Sequence, residues 1–306
     1  MDPIRVICGP TAAGKSALAL HLADEHALTI LSADSRQIYR GFDIGTAKPS
    51  HDERRRVPHR GIDIVDPTER YSASSWSRAA AGWIAESRAA NREPVVVGGT
   101  GFYLRALFDP LFEEPELPGE PRRAIAAALD GLSTAELRRW CTALDPARAR
   151  FGRAQLLRAI EVALLTGERL STLHRTAARA PRFTARYLVV DPGPALGARI
   201  EGRLGGMLAA GWEDEVRCLA ATLPAEAPAW NASGYRAIRA LVRGEIDRVA
   251  AIARVVIDTR QYAKRQRTWF RHQLTDDAPV VRIDPDDPRA FDIARRWWRG
   301  EDEDDT

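Results

Sequence analysis

The sequence predicts an α/β protein in which a parallel sheet is flanked by helices and interrupted by an all-helical insertion. Three observations carry this reading. Short β-branched runs alternate with segments of helical periodicity. A glycine-rich turn joins the first such run to the first helical segment. The texture changes after about residue 112: residues 113–121 (EEPELPGEP) hold three prolines and a glycine, and Arg122 to about Ala180 looks helical with no convincing strand.

Ile4–Cys8 (IRVIC) reads as a buried strand, followed by a helix from about Lys15 to Glu25. Leu28–Ala33 (LTILSA) is the second strand and Gly61–Val65 (GIDIV) a short third. Ser72–Asn91 places Trp76, Ala80, Trp83 and Ile84 at helical spacing, with Ser72 as a cap. Pro94–Val97 is the clearest inner strand, ended by Gly98-Gly99, and Tyr187–Val190 returns to strand character. Long helices follow at roughly 195–221 and 248–272. The expected organisation is a first core part (1–112), a helical insertion (113–184), a second core part (185–300) and an acidic tail (301–306).

Of 306 residues, 45% are hydrophobic and 28% charged, as in ordinary globular proteins. No apolar run approaches the roughly 20 residues of a membrane-spanning helix. Met1-Asp2-Pro3 leads directly into a strand, without a recognisable signal or transit peptide. The three cysteines (Cys8, Cys141, Cys218) lack metal-like spacing and form no evident disulfide framework. The expectation is a cytoplasmic, monomeric protein with no membrane partner. The net charge of +3 is asymmetric: residues 301–306 hold five acids, so residues 1–300 carry +8. A basic body suits a polyanionic partner, while the tail is either a solubilising end or a modulator of that affinity. Lysine occurs three times, at Lys15, Lys48 and Lys264, against a background of arginine. Each falls in a motif described below, which points to a required ammonium.

Gly9-Pro10-Thr11-Ala12-Ala13-Gly14-Lys15-Ser16 matches G-x-x-x-x-G-K-[ST], after a strand and opening a helix. This makes the expected core P-loop NTPase-like. Inward-turned N–H groups and the helix N-terminus would hold phosphate oxygens, Lys15 would reach a terminal phosphate and Ser16 would coordinate Mg²⁺. The motif fixes a phosphate chain, either a nucleotide or a diphosphate ester. The second strand runs into Asp34-Ser35-Arg36-Gln37-Ile38-Tyr39, at the strand edge where ligands bind. There Asp34 is placed for catalysis, for ordering a turn, or for holding Mg²⁺ through water. Gly45-Thr46-Ala47-Lys48-Pro49 and Gly98-Gly99-Thr100-Gly101-Phe102-Tyr103 follow, the latter where ordinary NTPases often carry a metal-linked acid. Arg254–Arg271 contains six basic residues against one acid, with Arg260, Lys264, Arg267 and Arg271 on one stripe and Tyr262, Gln266 and Trp269 on another. It reads either as a ladder for a nucleic-acid backbone or a diphosphate, or as a solvated face.

In order along the chain, these motifs with VPHRGIDIVDP (57–67), RAIEV with TG (158–167), MLAAGWEDEV (207–216), SGYRAI (233–238) and TRQYAKRQRTWFR (259–271) resemble the bacterial tRNA dimethylallyltransferases, or tRNA isopentenyltransferases of the MiaA family. The resemblance spans most of residues 9–271. It implies transfer of the dimethylallyl group from dimethylallyl diphosphate to N6 of adenosine at tRNA position 37, with release of diphosphate and a requirement for Mg²⁺. It also implies that the insertion helps grip the anticodon stem-loop.

By the same resemblance Asp34 is the general base for N6, a weak nucleophile unless it loses a proton. Thr11 contacts the donor and reacting centre, and residues 11–16 hold diphosphate. The implied tRNA contacts are Asp34, Ser35, Arg36, Gln37, Thr100, Arg122, Arg123, Gln155, Arg158, Gly234, Tyr235, Arg236, Lys264, Arg265, Gln266, Arg267, Thr268, Trp269 and Arg271. The chain departs from the family pattern at Phe151, Gly152 and Gln155, where the family usually carries Asn-Asp and then Arg. Rival readings are an adenylate isopentenyltransferase acting on free nucleotide, a small-molecule kinase, and a noncatalytic RNA-binding NTPase. The first has less need of the insertion and the basic segment. The other two leave residues 34–49 and 95–103 unexplained.

Overall fold

A computed structural model describes residues 2–109, 117, 119–176, 183–274 and 280–301. Most of the proline-rich linker and the acidic tail beyond Glu301 lie outside these residues. By Cα proximity the chain divides into one unit of residues 1–108 with 183–306 and another of 109–182.

The first unit is built on six parallel strands: β1 (Ile4–Cys8), β2 (Leu28–Ser32), β3 (His59–Arg60), β4 (Glu93–Gly98), β5 (Ala185–Val190) and β6 (Val280–Ile283), in the order β3-β2-β4-β1-β5-β6. Its helices are α1 (Lys15–Leu22), α2 (His51–Arg56), α3 (Ala73–Ala89) and α4 (Gly101–Phe108) before the insertion. The insertion contributes α5 (Gly119–Asp130), α6 (Thr134–Leu144), α7 (Arg153–Thr166) and α8 (Leu170–Thr176). After it come α9 (Leu196–Ala209), α10 (Trp212–Thr222), α11 (Tyr235–Val242), α12 (Arg248–Gln273) and α13 (Ala290–Arg299).

The buried runs Val95–Val97 and Leu188–Val190 show why both faces of the sheet must be covered. On one face Leu18 and Leu22 of α1 and Trp297 and Trp298 of α13 join Ile7 and Leu188 in a single core. Elsewhere in the core Trp76 of α3 stacks on Tyr103 of α4 at 4.9 Å and donates to the Ser32 carbonyl at 3.0 Å. Ser72 caps α3 by accepting from the Ser75 N–H. The second unit has its own core, including Leu129, Leu137, Cys141, Leu156, Ile160 and Leu170.

Two expectations need correction, and two elements were unforeseen. The third strand is His59–Arg60, not Gly61–Val65, because Gly61 (φ +81°) and Asp63 (φ +57°) adopt left-handed backbone that an extended strand excludes. Val65 retains one isolated bridge to Tyr39. The long helix at 195–221 is two helices, broken at Gly211 (φ +91°), which starts α10. β6 and α13 were not expected: β6 is only four residues and finds its partner, β5, about 90 residues upstream in the sequence.

Because all paired strands are parallel, the ends of β1, β2, β4 and β5 open on one edge. The P-loop, Asp34, Gly99-Thr100 and Asp191 emerge there.

Candidate active site

The cradle begins where β1 ends. Gly9 has φ +145°, and a Cβ on it would lie 2.1 Å from the Val190 carbonyl oxygen of β5, so only glycine admits this close approach. Gly14 (φ +93°) turns the chain into α1. Lys15 folds back to donate from Nζ to the Pro10 carbonyl at 2.6 Å. Burial pulls its pKa down to about 8 against the supporting charge of Asp34, with Arg203 lowering it further. An anion in the cradle favours the charged form. Above pH 8, diphosphate binding should therefore take up a proton and weaken as pH rises. Calorimetry at pH 8.5 in two buffers of different ionisation enthalpy measures this uptake directly. A buffer-independent enthalpy would mean that Lys15 is already charged.

Asp34 follows β2. Its Oδ1 accepts the Arg36 N–H at 2.8 Å, which fixes the carboxylate while leaving its other oxygen available. Ser35 N–H donates to Thr100 Oγ1 at 3.0 Å, locking the end of β2 to the end of β4. Gln37 accepts from Ser32 Oγ at 2.9 Å and donates to the Thr46 and Ala47 carbonyls at 3.2 and 3.0 Å.

Arg203 of α9 was not singled out in the sequence. Its Nη1 donates to Thr11 Oγ1 at 3.2 Å and its Nη2 to the Thr46 carbonyl at 3.4 Å. Burial lowers its pKa and the Asp34 charge opposes that shift. In an arginine-rich chain one more arginine carries no signal; its i,i+4 relation to Arg199 was the available clue. Gln266, expected as an RNA contact, braces the cradle: its Oε1 accepts the Thr11 N–H and its Nε2 donates to the Gly99 carbonyl, both at 2.8 Å.

Three cavities adjoin. The first is bounded by the P-loop, Asp34, Arg199 and Arg203. The second shares Thr11, Asp34 and Arg203 with it and adds apolar walls from Ile200, Leu204, Met207, Trp212 and Val255. The third shares Arg36, Ser233 and Tyr262 with the second and adds Gly234, Arg236 and Arg265. A glycine-rich cradle, an apolar chamber and a basic mouth are thus joined in sequence, with Asp34 and Arg203 at the first junction. The Tyr262 phenol at the second is pushed up to about 12 by burial and by the Asp34 charge.

Gly45 shows how tightly this wall is built. A Cβ there would lie 2.1 Å from Trp212 Nε1, and Trp212 is fully buried. Gly45→Ala should cost about 1–3 kcal/mol by displacing the indole or the loop. Denaturant melts of the variant measure it, and an unchanged midpoint would contradict this packing.

The comparisons with known proteins agree on one family. The IPP transferase family model matches residues 37–273, and the isopentenyl transferase model matches residues 2–59. A tRNA dimethylallyltransferase of Phenylobacterium zucineum is 43% identical over 280 residues, covering 90% of this chain and 91% of the relative. One of Rhodospirillum centenum is 45% identical over 294 residues, covering 93% and 92%. The chain belongs to the tRNA dimethylallyltransferase family. Among solved structures, a eukaryotic dimethylallyltransferase acting on tRNA superposes with a TM-score of 0.81 at 25% identity, covering 98% of this chain and 78% of that one. The tRNA isopentenylpyrophosphate transferase of Bacillus halodurans gives 0.69 at 28% identity, covering 98% and 97%.

In this member of the tRNA dimethylallyltransferase family, the residues expected to touch RNA fall into distinct groups. Arg36, Gly234, Arg236 and Arg265 gather around the third cavity. The Tyr235 side chain is fully buried and donates to Glu215 Oε1 at 2.6 Å, so it supports the mouth from within. The cationic ladder on α12 is partly consumed: Arg260 pairs with Glu201 at 2.6 Å, and Arg267 pairs with Asp191 and donates to the Gly193 carbonyl at 2.5 Å. Trp269 packs on Gly101, where a Cβ would come within 2.2 Å of the ring. Lys264, Thr268 and Arg271 are exposed.

Arg122, Arg123, Gln155 and Arg158 lie in the second unit. There Arg122 and Arg158 converge on Glu161 at 3.2 and 3.3 Å, and Gln155 caps α7 by accepting the Gly152 N–H at 3.3 Å. Arg123 is exposed. At the departure from the family pattern, the Arg148 and Arg150 guanidiniums sit 5.3 and 5.2 Å from the Phe151 ring.

Proposed function

We propose that this chain transfers the dimethylallyl group of dimethylallyl diphosphate to N6 of adenosine 37 in tRNA. The observation that carries this reading is a carboxylate, Asp34, at the junction of a phosphate cradle and an apolar chamber, beside the half-buried cation Arg203. The diphosphate lies on the P-loop and the five-carbon chain enters the apolar chamber. As the N6–carbon bond forms, the carbon–oxygen bond breaks and its electron pair leaves with diphosphate. Asp34 takes the N6 proton. Lys15, Arg203 and the loop N–H groups receive the charge that develops on the leaving group.

Among the described residues no three His, Cys, Asp or Glu side chains cluster as a metal site. A carboxylate-poor cleft with an exposed Ser16 at the start of α1 suits Mg²⁺ held largely by diphosphate oxygens and the Ser16 hydroxyl. Bound there, Mg²⁺ would neutralise leaving-group charge. Arg36, Arg236 and Arg265 line the mouth through which a base drawn out of the anticodon loop would enter. In this reading the helical insertion grips the anticodon stem-loop, and a single chain acts on tRNA in the cytoplasm. No described helix is long and apolar enough to cross a membrane.

The test supplies labelled dimethylallyl diphosphate and Mg²⁺ to unmodified tRNA and, in parallel, to AMP. Label in tRNA alone is the expected result. Label in AMP alone would assign the chain to the free-nucleotide branch, and label in neither would overturn the reading.

A further inference from the structure

Lys48 is a lysine in an arginine-rich chain, and the mechanism above leaves it without a role. Its side chain is only 2% exposed. Nζ donates to the Tyr39 carbonyl at 2.6 Å, to Asp43 Oδ1 at 2.6 Å and to Asp63 Oδ1, so all three N–H bonds are used. Three acceptors converging on one nitrogen suit an ammonium and not the planar fork of a guanidinium. Arg54 fills the other oxygen of Asp63 at 2.7 Å.

What Lys48 ties down is the turn from Asp43 to Lys48. The turn closes with Ala47 N–H on the Ile44 carbonyl at 2.9 Å and Lys48 N–H on the Asp43 carbonyl at 3.0 Å. Ala47 sits at φ +47°, a conformation that a non-glycine residue keeps only when its surroundings hold it. Glu215 Oε2 grips the other end of the turn, accepting the Asp43 and Ile44 N–H groups at 3.0 and 2.6 Å. At its far side the turn presents the Thr46 carbonyl to Arg203, whose other nitrogen reaches Thr11.

We propose that Lys48 is a positioning residue for the transfer reaction, holding the Asp43–Lys48 turn so that its Thr46 carbonyl aims Arg203 at Thr11 and the diphosphate. This rests on the prenyl-transfer reading. It separates Lys48 from a plain structural clamp, because a residue acting through Arg203 loses its effect when Arg203 is gone.

The experiment is a double-mutant cycle in single-turnover prenyl transfer to tRNA, using Lys48→Met, Arg203→Ala and both together, with tRNA affinity measured alongside. Lys48→Met is expected to slow transfer about 10- to 100-fold, on the scale that misplacing a group by about 1 Å produces. Affinity for tRNA should stay within about twofold, and the double variant should be no slower than Arg203→Ala. Asp43→Asn provides a milder second cycle: Asp43 is 56% exposed, and its loss leaves Lys48 its Asp63 partner. It should show a smaller slowing and the same non-additivity, and it decides the question if Lys48→Met does not fold. Additive losses in the cycle would overturn the proposal while the wild type still transfers label. An inactive wild type would instead overturn the functional reading on which the proposal rests.

Discussion

Asp34→Asn should lower prenyl transfer by about 10²- to 10⁴-fold, the usual contribution of a positioned general base. That corresponds to roughly 3–5 kcal/mol of barrier. Asparagine retains an oxygen to accept the Arg36 N–H, so the turn after β2 keeps its shape and the loss reports chemistry. Asp34 places a negative charge beside the cradle, and it is the charge that supports both Lys15 and Arg203 as cations. Removing it lessens repulsion towards diphosphate but also withdraws support from the Lys15 ammonium, so donor affinity should change little while kcat falls. Steady-state kinetics with dimethylallyl diphosphate varied at saturating tRNA checks both halves. A raised KM with unchanged kcat would make Asp34 a binding residue.

Arg203→Ala should cost about 10²- to 10³-fold in kcat, on the scale of removing one preorganised donor from a developing charge. The guanidinium is half-buried, reaches Thr11 and Thr46 together, and borders both the cradle and the apolar chamber. Negative charge grows on diphosphate as the carbon–oxygen bond breaks, so this cation contributes more in the transition state than in the ground state. Arg203→Lys keeps the charge but cannot bridge Thr11 and Thr46 with a fork, and it should recover only part of the rate. Single-turnover rates of the three proteins test this. Full activity in the lysine variant would reduce Arg203 to a point charge.

The placing of the cleft's groups was legible in the sequence wherever one short segment supplied them. Gly9–Ser16 does so because phosphate binding demands glycines, a lysine and a hydroxyl at fixed spacing in a strand–turn–helix context. Asp34 was legible in position but not in role, since a strand end places a carboxylate without naming its task. What stayed hidden depends on contacts between distant segments. Arg203 is one arginine among many until α9 brings it to Thr11. Helical spacing put Arg260 and Arg267 on one face, but it could not show Glu201 and Asp191 waiting opposite. Gln266 was expected only as an RNA contact, and its bonds to Thr11 and Gly99 had no signal in the sequence. The third strand was misplaced because Gly61 and Asp63 turn left-handed in a run that looks extended. Lysine scarcity, a purely compositional signal, did mark Lys15 and Lys48, whose ammonium groups each reach backbone oxygens within 2.6 Å.

The central claim is that this cleft delivers a prenyl group from the P-loop to an adenine nitrogen beside Asp34. The most direct measurement gives labelled dimethylallyl diphosphate to unmodified tRNA and to the same tRNA with guanosine at position 37, using wild type and Asp34→Asn, and maps the labelled nucleoside. The account predicts label on N6 of adenosine 37 with the wild type, a rate lower by at least about 10²-fold with Asp34→Asn, and none with guanosine. Label at another nucleoside, or an undiminished rate in Asp34→Asn, would contradict it.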